Sequence, residues 1–499
     1  MGPVMTGVAL MRNYIGGKWV EAEASGSIGI TNPGTGDVIG EVPLSTREET
    51  NRAIAAAAEA YKTWGMTPVA RRVQPLYKLA QTLRADEDRI ARILVAENGK
   101  SLTDARAEMK RVFENIEVAC GMPVLQQGDK LIGASFDMDG EVVRLPMGVF
   151  GMIAPFNFPA MVPFWFLPYA IATGNTFVLK TSKQVPMTMQ AITQHIEDAG
   201  VPPGVFNVVN GDSVVADAIM DSPIVQGVSF VGSTPVARIV ADKCAKTNKR
   251  FQAMGGAKNH LVVMPDAKME GVIRNMTTSC YGCAGQRCMA SSAIVAVGDA
   301  TYDEVCERFV EDSKKTLLAN PLDPRHEEEP MLLGPVISKR AKDTILGLIE
   351  DGINEGATLA LDGRGVTVEG SEGGFYIGPT VFTDVKPGMK IHRTEIFAPV
   401  VCILKADTLD EAIQIVNDHE YGNGASIYTQ NGYYARKFKL EALAGMIGVN
   451  VGIPAPVAYL PFGGMKASQW ADIKTQGKAI VNFYTQDKIV TERYFGEGG

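Results

Sequence analysis

Thr176-Phe177-Val178-Leu179-Lys180 opens a run in which short apolar strands alternate with helical segments. Met187 to Ala199 reads as a helix, Phe206 to Asn210 as a strand, Val214 to Ser222 as a helix, Gly227 to Phe230 as a strand and Pro235 to Ala245 as a helix. Strands separated by helices of about ten residues make βαβ units, which build a mostly parallel sheet with helices on its faces. The fold class is therefore α/β, and this stretch is the core of a candidate dinucleotide-binding domain. No Gly-x-Gly-x-x-Gly follows Lys180, so the usual pyrophosphate fingerprint is missing. Gly232-Ser233-Thr234, after a strand and before a helix, is the substitute, because a helix start offers free amides and a positive dipole end to phosphate. Many strand-to-helix turns carry glycine, so this turn alone says little.

Outward from that core, a second α/β region runs from about Leu261 to Gly448. It contains the strands Ile294 to Val297 and Val400 to Leu404 and the helices Asp303 to Leu318 and Lys342 to Gly356. Toward the N-terminus, Tyr14 to Val42 reads as short strands and turns, followed by helices over Arg47 to Trp64, Pro68 to Asn98 and Leu102 to Gly121. Ser45-Thr46-Arg47-Glu48 offers a capping box for the first of these. Asp129 to Val149 reads as a hairpin, and Phe483 to Thr491 as a strand expected to complete a neighbouring subunit's sheet. The most apolar stretch, Phe158 to Ala172, is short for a membrane span of ~20 residues. Broken by Pro159, Pro163 and Pro168, it reads as a buried, kinked helix whose Phe164, Trp165, Phe166 and Tyr169 wall a tunnel or fill ordinary core.

At 499 residues the chain is too long for one average domain, and two or three are expected. A formal charge of -8 argues against a nucleic-acid partner or an anionic membrane surface. Seven cysteines in so long a chain are no disulfide framework, and the odd number suits a reducing compartment. The N-terminus carries no secretory pattern, so the expected location is cytoplasmic.

The chemistry centres on Gly285-Gln286-Arg287-Cys288-Met289-Ala290. A thiolate is the nucleophilic form of cysteine, and positive neighbours lower the pKa that controls it. Cys288, directly after Arg287, is the candidate nucleophile. A lone cysteine is as a rule a small packing group, so what decides is its company. Pro155-Phe156-Asn157-Phe158, Lys180-Thr181-Ser182-Lys183, Phe230-Val231-Gly232-Ser233, Gly255-Gly256-Ala257-Lys258-Asn259-His260, Glu395-Ile396-Phe397-Ala398-Pro399 and Pro461-Phe462-Gly463-Gly464 follow in that order across nearly the whole chain. Together they resemble the aldehyde dehydrogenase superfamily, and in detail its CoA-acylating methylmalonate/malonate semialdehyde dehydrogenase branch.

The resemblance implies an aldehyde dehydrogenase-like fold: a Rossmann-type dinucleotide-binding domain over 1–121 and 145–255, an α/β catalytic domain over 256–447, and a β oligomerisation arm over 122–144 and 470–499. It further implies an oxyanion held by the Asn157 side chain and the Cys288 amide, a cofactor held by Phe156, Lys180, Lys183, Gly232, Ser233, Glu395 and Phe397, and assembly as a homotetramer or homodimer. Hydride loss to NAD or NADP would leave a thioester on Cys288.

Two departures carry information. Hydrolytic relatives have Glu-Leu-Gly-Gly-Lys, whose glutamate activates water. Here the run Met254-Gly255-Gly256-Ala257-Lys258 puts a methionine where the base would stand. Losing that base removes roughly 10²–10⁴-fold of water attack, so a better nucleophile, the thiol of coenzyme A, is expected to take the acyl group. Where the family's usual Lys-Pro-Ser-Glu has a glutamate for the adenosine ribose, this chain has Lys183, which removes repulsion toward a 2′-phosphate and points to tolerance of NADP.

Arg287 and Arg111 match the pair with which the branch grips a substrate carboxylate, and a guanidinium fork suits that task. The expected substrate is a small carboxylated aldehyde, malonate or methylmalonate semialdehyde, oxidised to acetyl-CoA or propionyl-CoA with decarboxylation. Another anionic aldehyde, such as a sulfo-aldehyde, fits the same fork, and a non-catalytic binding protein of the same fold is the alternative from outside enzymology. Cys280-Tyr281-Gly282-Cys283 lacks the second pair or histidines of a zinc site, so no metal is expected. Cys283 reads as either a buried packing residue or the partner of a reversible disulfide with Cys288. His260 reads as either a structural histidine or a participant in acyl transfer.

Overall fold

The computed structural model describes residues 9–23, 26–471 and 473–495. Residues 1–8, where the reading of a missing leader begins, and positions 24, 25, 472 and 496–499 of the expected domain and arm lie outside the described residues.

Two sheets organise the chain. The first has eight strands in the order Gln469–Trp470, Arg250–Met254, Val225–Val231, Val149–Ile153, Thr176–Lys180, Phe206–Val209, Asn13–Ile15, Lys18–Val20. Its five central strands are parallel. Val149–Ile153 and Thr176–Lys180 are buried at every position, as expected for strands covered by helices on both faces. Of these five the first in sequence, Val149–Ile153, lies in the middle; the chain adds two strands on one side, then crosses to add Val225–Val231 and Arg250–Met254 on the other. The second sheet has seven strands, with Asn259–Val263 central, Ser291–Val297 and Val400–Ala406 to one side and Gly424–Tyr428 and Met446–Val449 to the other. It repeats the same winding.

This winding creates a switch point beside the first strand of each sheet, and ligands of open α/β sheets bind there, outside the carboxyl ends of the strands. In the first sheet those ends run into Ala154-Pro155-Phe156-Asn157, Thr181 and Gly232-Ser233. Cys288 and Glu395 precede strands of the second sheet, at its amino end.

Most predicted elements fall within a few residues of their observed bounds, and the exceptions have physical causes. The helix Arg47–Trp64 is capped by Thr46 with Glu49: Thr46 Oγ1 accepts the Glu49 N–H at 3.2 Å, and Glu49 Oε2 accepts the Thr46 N–H at 2.8 Å. The box is thus one residue later than expected. Phe158 to Ala172 is two short helices, Met161–Phe164 and Leu167–Thr173, rather than one kinked helix. Phe164, Phe166 and Tyr169 are wholly buried in core.

The tail differs most. Thr485–Arg493 pairs antiparallel with Met138–Pro146 of its own chain, from Thr485 opposite Pro146 to Arg493 opposite Met138. It therefore does not lack a partner. Phe483 and Tyr484 end the buried helix Ala479–Tyr484 and pack on Phe150, with ring centroids 5.4 and 4.7 Å away. Within the span assigned to the arm, Gln469–Trp470 and this helix belong with the first sheet, because their apolar side chains complete its core. A separate three-stranded sheet comprises Lys130–Ser135, Met138–Pro146 and Thr485–Arg493. No described helix is long and apolar enough to cross a membrane.

Candidate active site

The loop carrying Cys288 leaves the helix Met269–Tyr281 through a tight turn in which Cys283 and Ala284 adopt left-handed φ angles of 51° and 54°. Such angles cost free energy in non-glycine residues and persist only where surroundings enforce them. Gly285 follows at φ 69°, where a Cβ would stand 2.3 Å from the Ala398 carbonyl oxygen. Beyond the turn, the Cys288 carbonyl accepts hydrogen bonds from Asn259 Nδ2 at 2.8 Å and Asn423 Nδ2 at 2.9 Å. Both ends of the loop are pinned, so its sulfur is presented from a rigid backbone.

Cys288 faces a cavity of about 180 Å³ lined also by Arg111, Arg287, Asp104, Phe158 and Trp165. Of the aromatics expected to wall a tunnel, Trp165 does so, joined by Phe158. Arg287 is not directed at Cys288. Its Nη2 donates to Asp104 Oδ1 at 2.5 Å and its Nε to Cys283 Sγ at 3.2 Å. Burial first, and then the charge of Glu395, push the Cys288 thiol up to about 12 against the weaker downward pull of Arg287, so the thiolate that the arginine neighbour was expected to favour is disfavoured by its surroundings.

Asn157 is buried next to the loop, its Nδ2 donating to the Gln286 carbonyl at 3.0 Å. A primary amide has a second N–H to give. Its backbone is held by Lys100, whose Nζ donates to the Asn157 carbonyl at 2.7 Å and to Glu108 Oε2 at 2.6 Å. Glu108 Oε1 accepts the N–H groups of Ala160 and Met161 at 2.9 and 3.0 Å. The Lys100–Glu108 pair went unrecognised in the sequence, as did Asp104. The available signal was spacing: Asp104, Glu108 and Arg111 sit at i, i+4 and i+7, one face of the helix Leu102–Cys120. Arg111 donates to Glu114 at 2.6 Å and remains about one-third exposed at the cavity.

A second cavity, of about 470 Å³, lies between the sheets and is lined by Ser233, Thr234, Arg393, Glu395 and Tyr421. Ser233 makes no side-chain cap to the helix Thr234–Lys246, which leaves that helix's first amides uncapped by it. Gly232 donates its N–H to the Met254 carbonyl at 3.1 Å, and the Gly256 N–H donates to Thr234 Oγ1 at 2.9 Å. Glu395 Oε1 accepts the Ala257 N–H at 2.9 Å, and a Cβ at Gly256 would stand 2.6 Å from Oε2. Burial raises the Glu395 carboxyl to about 7. Phe156 and Phe397 meet edge to face at 5.8 Å. Lys180, at the end of its strand, is buried with Nζ donating to the Thr181 carbonyl, and burial brings it down to about 8. Lys183 is exposed nearby. These groups fit a dinucleotide: uncapped amides for phosphate, and a carboxylate for ribose hydroxyls.

The strand Arg250–Met254 leads into Gly255-Gly256. Met254, expected where the water-activating glutamate of hydrolytic relatives stands, ends this strand, is buried in the core against which Cys288 packs and cannot take a proton. His260 lines neither cavity. Its Nε2 lies 2.9 Å from His392 Nε2, with His419 edge-on to both, and burial lowers all three. Among the described residues no group of three His, Cys, Asp or Glu is placed to hold a metal ion. Cys283 and Cys288 border one cavity as free thiols.

Two switch-point sheets facing across a cleft, with a cysteine loop on one side and open strand ends on the other, define an enzyme class. The sequence model of the aldehyde dehydrogenase family matches residues 19–490, and the chain belongs to that family. Malonate-semialdehyde dehydrogenase 1 of Geobacillus thermodenitrificans is 45% identical over 490 residues, covering 98% of this chain and 100% of that protein. The crystal structure of a methylmalonate-semialdehyde dehydrogenase from Sinorhizobium meliloti 1021, described as putative and complexed with NAD, superposes with a TM-score of 0.95 at 38% identity over 99% of both chains. The methylmalonate-semialdehyde dehydrogenase of Oceanimonas doudoroffii also gives 0.95 at 38% identity, covering 98% of this chain and 99% of that one.

Proposed function

We propose that this enzyme oxidises malonate or methylmalonate semialdehyde and transfers the acyl group to coenzyme A, giving acetyl-CoA or propionyl-CoA as the substrate carboxylate leaves as carbon dioxide or bicarbonate. The observation that carries this reading is the pairing of Cys288 with two arginines at one cavity, beside a strand end from which the water-activating carboxylate is missing. The names of its relatives point the same way.

Cys288 attacks the aldehyde carbon. Asn157 Nδ2 and the Cys288 amide donate to the oxygen as it becomes negative, and removing one such donor typically costs ~10²–10³ in rate. Arg111 and Arg287 hold the carboxylate and so align the short chain. A nicotinamide bound in the cleft between the sheets accepts the hydride. Glu395 and the amides after Ser233 fix its ribose and phosphates, with Phe156, Lys180, Gly232 and Phe397 around them. With Met254 inert, the thioester on Cys288 outlasts water and waits for coenzyme A.

Lys183 in place of an acidic residue supports use of NADP alongside NAD. The exposed arm, with Leu131 63%, Ile132 77%, Phe136 95% and Ile489 71% exposed, supports assembly into a homotetramer or homodimer. The seven free thiols suit a cytoplasmic setting.

Mass spectrometry of the products from malonate semialdehyde, coenzyme A and each nicotinamide tests the reading. Acetyl-CoA is expected, and free acid formed at an equal rate without coenzyme A contradicts it. Lys183→Glu is expected to lower kcat/KM for NADP relative to NAD. An unchanged ratio removes Lys183 from cofactor choice.

A further inference from the structure

Acyl transfer to coenzyme A requires that a thiol lose its proton at the thioester, and the residue that performs this service for water in hydrolytic relatives is missing. Each carboxylate or histidine near Cys288 is therefore a candidate. Asp104 is committed to Arg287 and to the Cys283 N–H at 3.1 Å, and Arg287 and Lys100 hold its carboxyl below the usual carboxylate range. Glu108 is committed to Lys100 and two backbone amides. His260 is enclosed by two other histidines and reaches neither cavity. Glu395 differs from all three. Only its Oε1 is engaged, by Ala257, while Oε2 has no hydrogen-bond partner among the described residues. It opens on the cavity between the sheets, and its loop packs on the turn that leads to Cys288, where Gly285 lies against the Ala398 carbonyl. Gly256 gives Oε2 the space a side chain would fill.

Resting on the acyl-transfer reading above, we propose that Glu395 is the base that accepts the proton of the coenzyme A thiol. Once the reduced nicotinamide has left, Oε2 is free of the ribose. It takes the S–H proton, and the thiol sulfur bonds to the thioester carbonyl carbon. The bond from that carbon to Cys288 breaks, and the Cys288 sulfur takes the proton back from Glu395. No electrons are exchanged. One carboxylate thus serves the cofactor in the first half-reaction and the second thiol in the next.

The electrostatics agree. A base acts best when its pKa lies near the working pH, and burial holds Glu395 at about 7. Lys258, Cys288 and Tyr421 face it from the elements packed around it, with Lys390, Arg393 and Glu420 across the cavity. Lys258 is buried and donates to the carbonyls of Ile391 at 2.9 Å and Thr394 at 3.1 Å, which fixes the backbone leading into Glu395.

The experiment separates this step from the cofactor. Wild type and Glu395→Gln are acylated with p-nitrophenyl acetate without nicotinamide, and one p-nitrophenolate per subunit in each reports an intact site. Coenzyme A is then added and acetyl-CoA followed with time. The wild-type rate is expected to rise with pH along one ionisation near 7, and E395Q to be slower by ~10²–10⁴-fold at neutral pH. A thiophenol, already ionised at that pH, is expected to clear both acyl-enzymes at similar rates. Equal coenzyme A rates and pH profiles in the two proteins overturn the role of Glu395 alone. A wild-type acyl-enzyme that coenzyme A does not clear overturns the acyl-transfer reading as well.

Discussion

Lys100 Nζ lies 2.6 Å from Glu108 Oε2, with the two side chains 1% and 0% exposed. The pair joins the start of the helix Leu102–Cys120 to the turn that carries Asn157, since Lys100 also donates to the Asn157 carbonyl and Glu108 accepts from Ala160 and Met161. Removing one partner of a buried pair leaves the other charge uncompensated, at about 3–5 kcal/mol. Lys100→Met is therefore expected to lower stability by that amount in urea titration and to lower kcat through a displaced Asn157. A variant with wild-type stability and kcat would remove the pair from the account.

The two arginines differ in how they are held. Arg287 is engaged by Asp104 and Cys283, whereas Arg111 has only the partly exposed Glu114. A charge-assisted hydrogen bond contributes about 1.5–3 kcal/mol, roughly ten- to a hundredfold in kcat/KM. Arg111→Gln is expected to lose that much toward malonate semialdehyde and little toward propanal, with stability unchanged. Arg287→Gln is expected to lose activity toward both aldehydes and stability besides, because it leaves Asp104 unpaired. Equal losses on the two aldehydes in Arg111→Gln would take Arg111 out of carboxylate binding.

Burial and Glu395 both disfavour the anion of Cys288. Alkylation by iodoacetamide, which needs the thiolate, is expected to be slow at neutral pH and to climb steadily as pH rises. Glu395→Gln removes the negative neighbour, so its alkylation at pH 7.5 is expected to be about tenfold faster for each unit the thiol falls. Identical rates in the two proteins would contradict the electrostatic coupling.

The histidine cluster gives a stability dependence of definite sign. His392 and His419 are held neutral, at about 3 and about 4, by burial first. An unfolded histidine titrates near ~6.5. Below that value the unfolded chain gains protons that the folded one refuses, so stability falls with pH until the folded groups titrate, by roughly 5 kcal/mol for His392 and roughly 3 kcal/mol for His419. Urea midpoints between pH 7 and 4 are expected to drop steeply in wild type and less steeply in His392→Gln. Parallel slopes would contradict this origin.

Much of this was legible because it depends on local pattern. Thr176–Lys180 and Val400–Ala406 are nearly continuous apolar runs between helices, and a strand buried on both faces has no other way to read. What escaped depends on distance in space. Asp104 and Glu108 look like a solvated helix face until Arg287 and Lys100 are laid against them. The Cys288 thiol is set by burial and by Glu395, far along the chain, rather than by the arginine next to it. His260, His392 and His419 have no ligand-like spacing, yet their rings are 5.1 to 5.3 Å apart. The tail strand's partner, Met138–Pro146, could not be chosen from an alternating pattern alone, because any sheet edge satisfies one.

The most direct test of the central claim is rapid-mixing absorbance of the reduced nicotinamide, with malonate semialdehyde and saturating NAD, with and without coenzyme A. If no carboxylate activates water because Met254 stands in its place, one equivalent per subunit forms in a burst and then nearly stops until coenzyme A restores turnover. Steady turnover of many equivalents without coenzyme A would mean that water is activated after all, and the reading of this enzyme as an acyl transferase to coenzyme A would be wrong.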